Sequence, residues 1–176
     1  MKLSRRVLLL VALLAHAGCG YSLAGRGSFL PAYIQRIGVP QFENETAVFD
    51  LNRQVTERVR SEFIGRGKYT IVPDATGVDA VLTGTVSSVT LTPVAFNTNQ
   101  QATRYALVLT ARVEFKDMRA NKVLWSNASM QYREEFTLDP TSALDTSTFL
   151  GQDVNARDRI SNEFARALVS AILEAF

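Results

Sequence analysis

Residues 104–116 alternate in a way that few folds can accommodate. Tyr105, Leu107, Leu109, Ala111, Val113 and Phe115 fall on one side of an extended chain, and Arg104, Thr110, Arg112, Glu114 and Lys116 on the other. A period of two sustained this long predicts a strand with one buried and one wet face, the pattern of an antiparallel sheet covered on one side only. The turn over residues 117–121 leads into a second long strand, residues 122–136, so the two form a hairpin. The core face of that second strand is ambiguous, because Trp125 is out of phase with Ala128, Met130 and Tyr132. Upstream, Ala80, Leu82, Gly84 and Val86 share a face, but the next apolar residues are Val89 and Leu91. A one-residue slip in a continuing strand predicts a β-bulge at Ser87-Ser88.

Two segments follow the helical period instead. Val48, Leu51, Val55, Val59 and Phe63 recur at steps of three and four, with Asp50 as the expected N-cap and Gly65 and Gly67 as the stop. Ala156, Ile160, Phe164, Leu168 and Ile172 make a second stripe in a helix expected over residues 153–175. A short strand is expected over residues 34–39, and a strand-rich region begins at residues 69–72. Both helix stripes need a surface to cover. The economical solution is an α+β two-layer sandwich of order β-α-β-β-β-α, two helices on one face of a roughly four-stranded, mostly antiparallel sheet. The opposite sheet face would carry Thr, Ser, Arg and Glu.

The beginning of the chain reads differently. Lys2, Arg5 and Arg6 precede an apolar run, residues 7–15, and then Ala17-Gly18 and Cys19. This is the layout of a secretory signal, with an apolar run far short of the roughly 20 residues that cross a bilayer. A cysteine directly after the small pair resembles a lipobox, apart from His16 where leucine is usual. The expected organisation is a signal peptide over residues 1–18, a lipidated Gly/Ser-rich tether over 19–30, and a single domain over 31–176.

This division bears on chemistry. The leader would carry three of the 19 basic residues, none of the 17 acidic ones, and the only histidine. What remains is near neutral, so the net charge of +2 is no sign of a nucleic-acid partner. With Cys19 acylated, neither thiol nor imidazole is left for Ser-His-Asp or Cys-His catalysis or for a zinc site. Glu134 and Glu135 are adjacent, which on a strand sends them to opposite faces. No catalytic residues, metal ligands or cofactor are expected.

Two connections stand out. Residues 92–103 read as a long uncharged loop around Phe96, Asn97, Thr98, Asn99 and Gln100, suited to a protein interface or a polar channel wall. Residues 138–150 are hydroxyl-rich yet contain Leu144, Phe149 and Leu150, either to dock a partner or to staple the last helix.

Several short motifs occur together: Cys19-Gly20-Tyr21-Ser22-Leu23, Ile37-Gly38-Val39-Pro40-Gln41-Phe42, Asn44-Glu45-Thr46, and Ala80-Val81-Leu82-Thr83-Gly84 after Tyr69-Thr70-Ile71-Val72. In order and spacing they resemble the LptE family, lipopolysaccharide-assembly lipoproteins of the Gram-negative outer membrane. The resemblance implies a non-enzymatic, lipid-anchored sandwich on the periplasmic side. Such a protein plugs the β-barrel LptD, assists its assembly and helps deliver lipopolysaccharide. Gly20, rather than aspartate, after the lipidated cysteine is compatible with sorting to the outer membrane. Arg104, Arg112, Lys116, Arg119 and Lys122 are then candidates for lipopolysaccharide phosphates or core sugars, and residues 96–100 for barrel contact. The competing expectation is a lipoprotein that scaffolds or activates another envelope machine, such as a cell-wall synthase or a secretion pore.

Overall fold

A computed structural model describes residues 30–66, 68–137 and 145–175. The expected signal peptide, Cys19, the expected tether as far as residue 29, Gly67 and Leu144 lie outside the described residues. The elements are β1 (Arg36–Gly38), β2 (Glu43–Asn44), α1 (Leu51–Gly65), β3 (Thr70–Val72), β4 (Ala80–Phe96), β5 (Ala102–Asp117), β6 (Lys122–Thr137), α2 (Thr146–Gln152) and α3 (Val154–Leu173).

Strands β4, β5 and β6 form a long antiparallel meander, and β1, β2 and β3 complete a mixed six-stranded sheet. β1 pairs in parallel with both β3 and β4, and β2 pairs in parallel with β4 farther along the same edge. The β1-to-β3 connection runs through α1, as a parallel pair requires a crossover. The expectation of four strands is therefore corrected to six. The additional strands are two or three residues long, too short to show an alternating period.

The helices pack on one face. Leu51, Val55, Val59 and Phe63 of α1 join Ile160, Phe164, Leu168 and Ile172 of α3 against Leu82, Val86, Leu107, Leu109, Val113 and Phe115. All six inward residues expected of β5 are buried. Val86 pairs with Ala111 and Ser88 with Thr110, which leaves Ser87 as the extra residue of a bulge. Val89 and Leu91 thereby pack against the core. β6 contains two such shifts. Phe115 faces Trp125 and Ala111 faces Met130, with one unmatched residue between Met130 and Asn127. The Asn127 carboxamide oxygen accepts the Ser129 N–H at 2.9 Å and holds that irregularity. Trp125 and Met130 thus share a face despite their opposite parity.

Three further expectations change. Residues 92–103 are mostly strand, and the connection shrinks to residues 97–101. There Asn97 Oδ1 accepts the N–H groups of Asn99 and Gln101, each at 2.9 Å. Pro93 is tolerated because the N–H of Leu91, two residues earlier, points off the ladder to Thr146 Oγ1 at 3.0 Å. The proline nitrogen faces the same open edge, where no ladder donor is lost. A third helix, α2, was not expected. Asp145 caps it by accepting from the Ser147 and Thr148 N–H groups, and Phe149 and Leu150 are buried rather than exposed. This part of the 138–150 segment staples the core: Phe149 meets Phe136 edge-to-face at 5.6 Å. Finally, Asp50 is not a side-chain cap. It has a left-handed backbone, φ 65°, and its carboxylate turns to Arg53 Nε at 2.8 Å.

Two carboxylates tie the N-terminal segment to the sheet. Asp79 accepts the N–H groups of Gln35 at 3.0 Å and Arg36 at 2.9 Å, and the Arg119 guanidinium at 2.9 Å. Asp117, buried, accepts the Tyr33 hydroxyl and the N–H groups of Arg119 and Ala120. At the other side of β1, Arg60 donates to the Val39 carbonyl, while Asn52 and Thr56 bond the main chain of Phe42. The Phe42 ring then lies flat over Gly84.

A Cβ on Gly84 would come within 2.5–2.8 Å of the Phe42 ring, which is buried and cannot swing away. Gly84→Ala should lower unfolding free energy by about 1–3 kcal/mol, read from urea denaturation; an unchanged midpoint would show that the ring is not locked there. Acid should act on the two aspartates. The Tyr33 hydroxyl and then main-chain N–H groups hold Asp117 below the usual carboxylate range, and the N–H groups of Arg36 and Gln35, then Arg119, do so for Asp79. A lowered folded-state pKa contributes stability that is complete above the unfolded value of about 3.9 and is lost as pH falls through the folded one. Urea midpoints should therefore fall below about pH 4, and less steeply in the Asp79→Asn/Asp117→Asn variant, which starts lower at neutral pH. Parallel curves for the two proteins would contradict this.

Candidate functional site

The helices leave the other face of the long meander uncovered among the described residues. Because that face is set by strand parity, its composition follows from the register. β4 contributes Thr83, Thr85, Ser88, Thr90 and Thr92; β5 contributes Arg104, Val108, Thr110, Arg112, Glu114 and Lys116; β6 contributes Ser126, Gln131, Arg133, Glu135 and Thr137. This is the Thr, Ser, Arg and Glu surface expected from the alternation. Its charges are largely paired. Arg112 donates to Glu45 at 2.9 Å, and Glu135 lies 3.7 Å from Arg104 and 3.1 Å from Arg133. Exposed pairs of this kind contribute only about 0–1 kcal/mol each. Their consequence is electrostatic: a hydroxyl-rich surface with little unbalanced charge.

The face is indented where the edge of β4 changes partner. β1 reaches only Ala80 and Val81, and β2 begins at Thr85. The intervening turn leaves a shallow bay of about 480 Å³, lined by Pro40, Gln41, Glu43, Thr83, Arg112 and Glu114, among others. Thr85 Oγ1 reaches Glu43 at 3.4 Å on its floor. Among the described residues, no three His, Cys, Asp or Glu side chains converge as metal ligands.

The five basic candidates do not form one site. Arg104 lies near one end of β5 and Lys116 near the other, roughly 40 Å apart at about 3.3 Å per residue. Arg112 is mid-strand and engaged by Glu45. Arg119 and Lys122 belong to the β5–β6 turn, where Arg119 pairs with Asp79 at 2.5 Å and stacks 5.3 Å from the Tyr33 ring centre. Lys116 and Lys122 have no ion pair among the described residues, so the freely presented positive charge is at the turn end of the hairpin. Exposed Met118 and Val123 flank it. The other end is uncharged: exposed Val94 and Phe96 lead into Asn97, Thr98, Asn99 and Gln100. Sequence reasoning found Arg112 but not the bay, whose other wall arrives from residues 40–43. No local signal marks that approach.

Curated proteins give no match to this sequence. Among solved structures, the chain is similar to the hypothetical protein CT253 from Chlamydia trachomatis, with a TM-score of 0.53 and 11% identity over 79% of this chain and 95% of that one. It also resembles the rare lipoprotein B from Shewanella oneidensis (TM-score 0.49, 17% identity, 78% and 96% covered). Lipoprotein B from Nitrosomonas europaea is a further likeness (TM-score 0.49, 15% identity, 88% of each chain). Identities this low speak to fold alone, and only the first likeness is close enough to do so. The family model is more specific: residues 34–175 match LptE, described as lipopolysaccharide-assembly. That span runs from ahead of β1 to beyond α3, and the chain belongs to the LptE family of lipopolysaccharide-assembly proteins.

Proposed function

We propose that this protein is an outer-membrane lipoprotein, anchored through acylated Cys19. In this reading it plugs an LptD-like β-barrel, assists the barrel's assembly and helps deliver lipopolysaccharide to the outer leaflet, without catalysing a reaction. The supporting observation is the uncovered sheet face. The lumen of a large barrel is polar, so a domain seated there needs a broad polar surface whose charges are already balanced. The hydroxyls of Thr83, Thr90, Thr92 and Thr110, with the paired Arg112 and Glu45, meet that requirement. Several acyl chains on Cys19 would hold the protein stably at the membrane, at about 0.8 kcal/mol per buried methylene.

The two ends of the meander then have different tasks. The uncharged end, residues 94–100, offers amides and a single aromatic ring to the barrel wall. The basic end, Lys116, Arg119 and Lys122, offers charge-assisted hydrogen bonds to phosphates of lipopolysaccharide.

The reading is tested by purifying the tagged full-length protein from detergent-solubilised outer membranes at native expression and identifying its partners by mass spectrometry. A near one-to-one complex with a large β-barrel is expected. Recovery of the protein alone in several mild detergents, or with a cell-wall enzyme instead, would overturn the barrel assignment.

A further inference from the structure

The outer edge of β6 is the longest unpaired strand edge among the described residues. Among the described residues β6 pairs with β5 alone, and its first part is interrupted by the shifts around Leu124 and Asn127–Ser129. From Gln131 to Thr137 the ladder is regular, with no proline and no bulge. The direction of its main-chain groups follows from one bond. The Leu91 N–H points away from β5, to Thr146, so Leu91 and Leu107 are a non-hydrogen-bonded pair. In an antiparallel ladder Leu107 must then turn its own N–H and C=O toward β6. Its partner there is Glu134. Glu134, Tyr132 and Phe136 therefore bond β5, while Gln131, Arg133, Glu135 and Thr137 direct their N–H and C=O groups outward. Such an edge is a template for another strand.

We infer that this edge pairs with the same edge of a second copy of the chain, antiparallel, about a two-fold axis at Glu134. In that register Gln131 lies opposite the partner's Thr137 and Arg133 opposite the partner's Glu135, each as a hydrogen-bonded pair. All four outward-facing residues of each copy are then satisfied at once. The side chains agree with the main chain. On the uncovered face, Arg133 and Glu135, which pair within each copy at 3.1 Å, exchange partners across the axis, so that two Arg–Glu pairs have opposite charges directly facing, the favourable arrangement for cross-strand neighbours. On the helix face, Tyr132 stands opposite the partner's Phe136, whose ring is already covered by Phe149 and Arg159 of its own copy. Glu134 meets its own counterpart at the axis, a like-charge contact, but each carboxylate is already paired with Arg159 of its own copy. Shifting the register by two residues places Arg133 opposite itself or Glu135 opposite itself, so the charges select the proposed one. A seven-residue strand per copy buries less than the roughly 1,200 Å² of a stable complex. The association is weak in solution and is favoured where lipid anchors confine both copies to one surface. It rests on the proposed Cys19 anchor and concerns copies that are not seated in a barrel.

Two full-length chains carrying different tags, one Gln131→Cys and the other Thr137→Cys, test both contact and register. Both positions are exposed. Opposed residues of a hydrogen-bonded pair have Cα atoms about 5.5 Å apart, within disulfide range, whereas like positions are six residues out of register, about 20 Å apart. In mild detergent under oxidation, the mixture should give a disulfide-linked heterodimer, and neither chain alone nor the unsubstituted protein should crosslink appreciably. Adding Arg133→Glu to both chains should reduce the yield at least several-fold, and Arg133→Glu with Glu135→Arg should restore it. Absence of the heterodimer, equal crosslinking by either chain alone, or a yield indifferent to charge reversal would overturn the proposal.

Discussion

The fold depends on keeping three long strands in phase with a single buried face. A strand of sixteen or seventeen residues presents eight or so side chains to each side, and one uncorrected slip would exchange core for solvent over all that follow. β5 holds its phase unaided from Arg104 to Asp117. β4 and β6 do not, and unmatched residues adjust their register: Ser87 and Val94 in β4, and Leu124 and a position beside Asn127 in β6. Every later feature relies on these corrections, because α1 and α3 need one continuous apolar surface beneath them.

One-sided covering also defines what the molecule can present to a partner. Among the described residues, the helices and the core consume one sheet face, and the other is left as threonines, serines and balanced ion pairs. Asp79 and Asp117 fix one end of the meander, where β4 begins and β5 ends, to the chain entering β1, and Arg60, Asn52 and Thr56 fix the β1–β2 turn from the helix side. The β1–β2 turn that walls the bay and the basic turn before Lys122 are thus held by side-chain bonds to the main chain as well as by ion pairs. A polar, pre-shaped face on a domain of the LptE family is the basis of the proposal that it seats in a barrel.

Legibility in the sequence tracked element length. The inward residues of β5 and the apolar stripes of both long helices appear directly, because each repeats its period several times. The Ser87 bulge was also readable, since apolar residues on both sides revealed the change of phase. The Trp125 conflict was visible, but its resolution needed two shifts close together, and Asn127 offered only an ambiguous turn signal. β1 and β3 fall where a short strand and the start of a strand-rich region were expected, but β2, two residues long, carries no period at all. Residues 92–96 looked like loop because Pro93 usually ends a strand; only the open edge beside Leu91 explains its acceptance. The candidate site shows the same division. Strand parity put Arg112 and Lys116 on one face, but Glu45, sixty-seven residues away, could not be seen approaching.

The central claim is that the uncovered sheet face, not the helix layer, meets the barrel. Site-specific photo-crosslinking in living cells tests it most directly, with the probe at Thr83 or Thr90 on the open face and at Glu57 or Arg166 on the exposed sides of the helices. Crosslinks to a large β-barrel from the two threonine positions, and few from the helix positions, are the predicted result. Capture from the helix positions alone, or none from the sheet, would contradict the account.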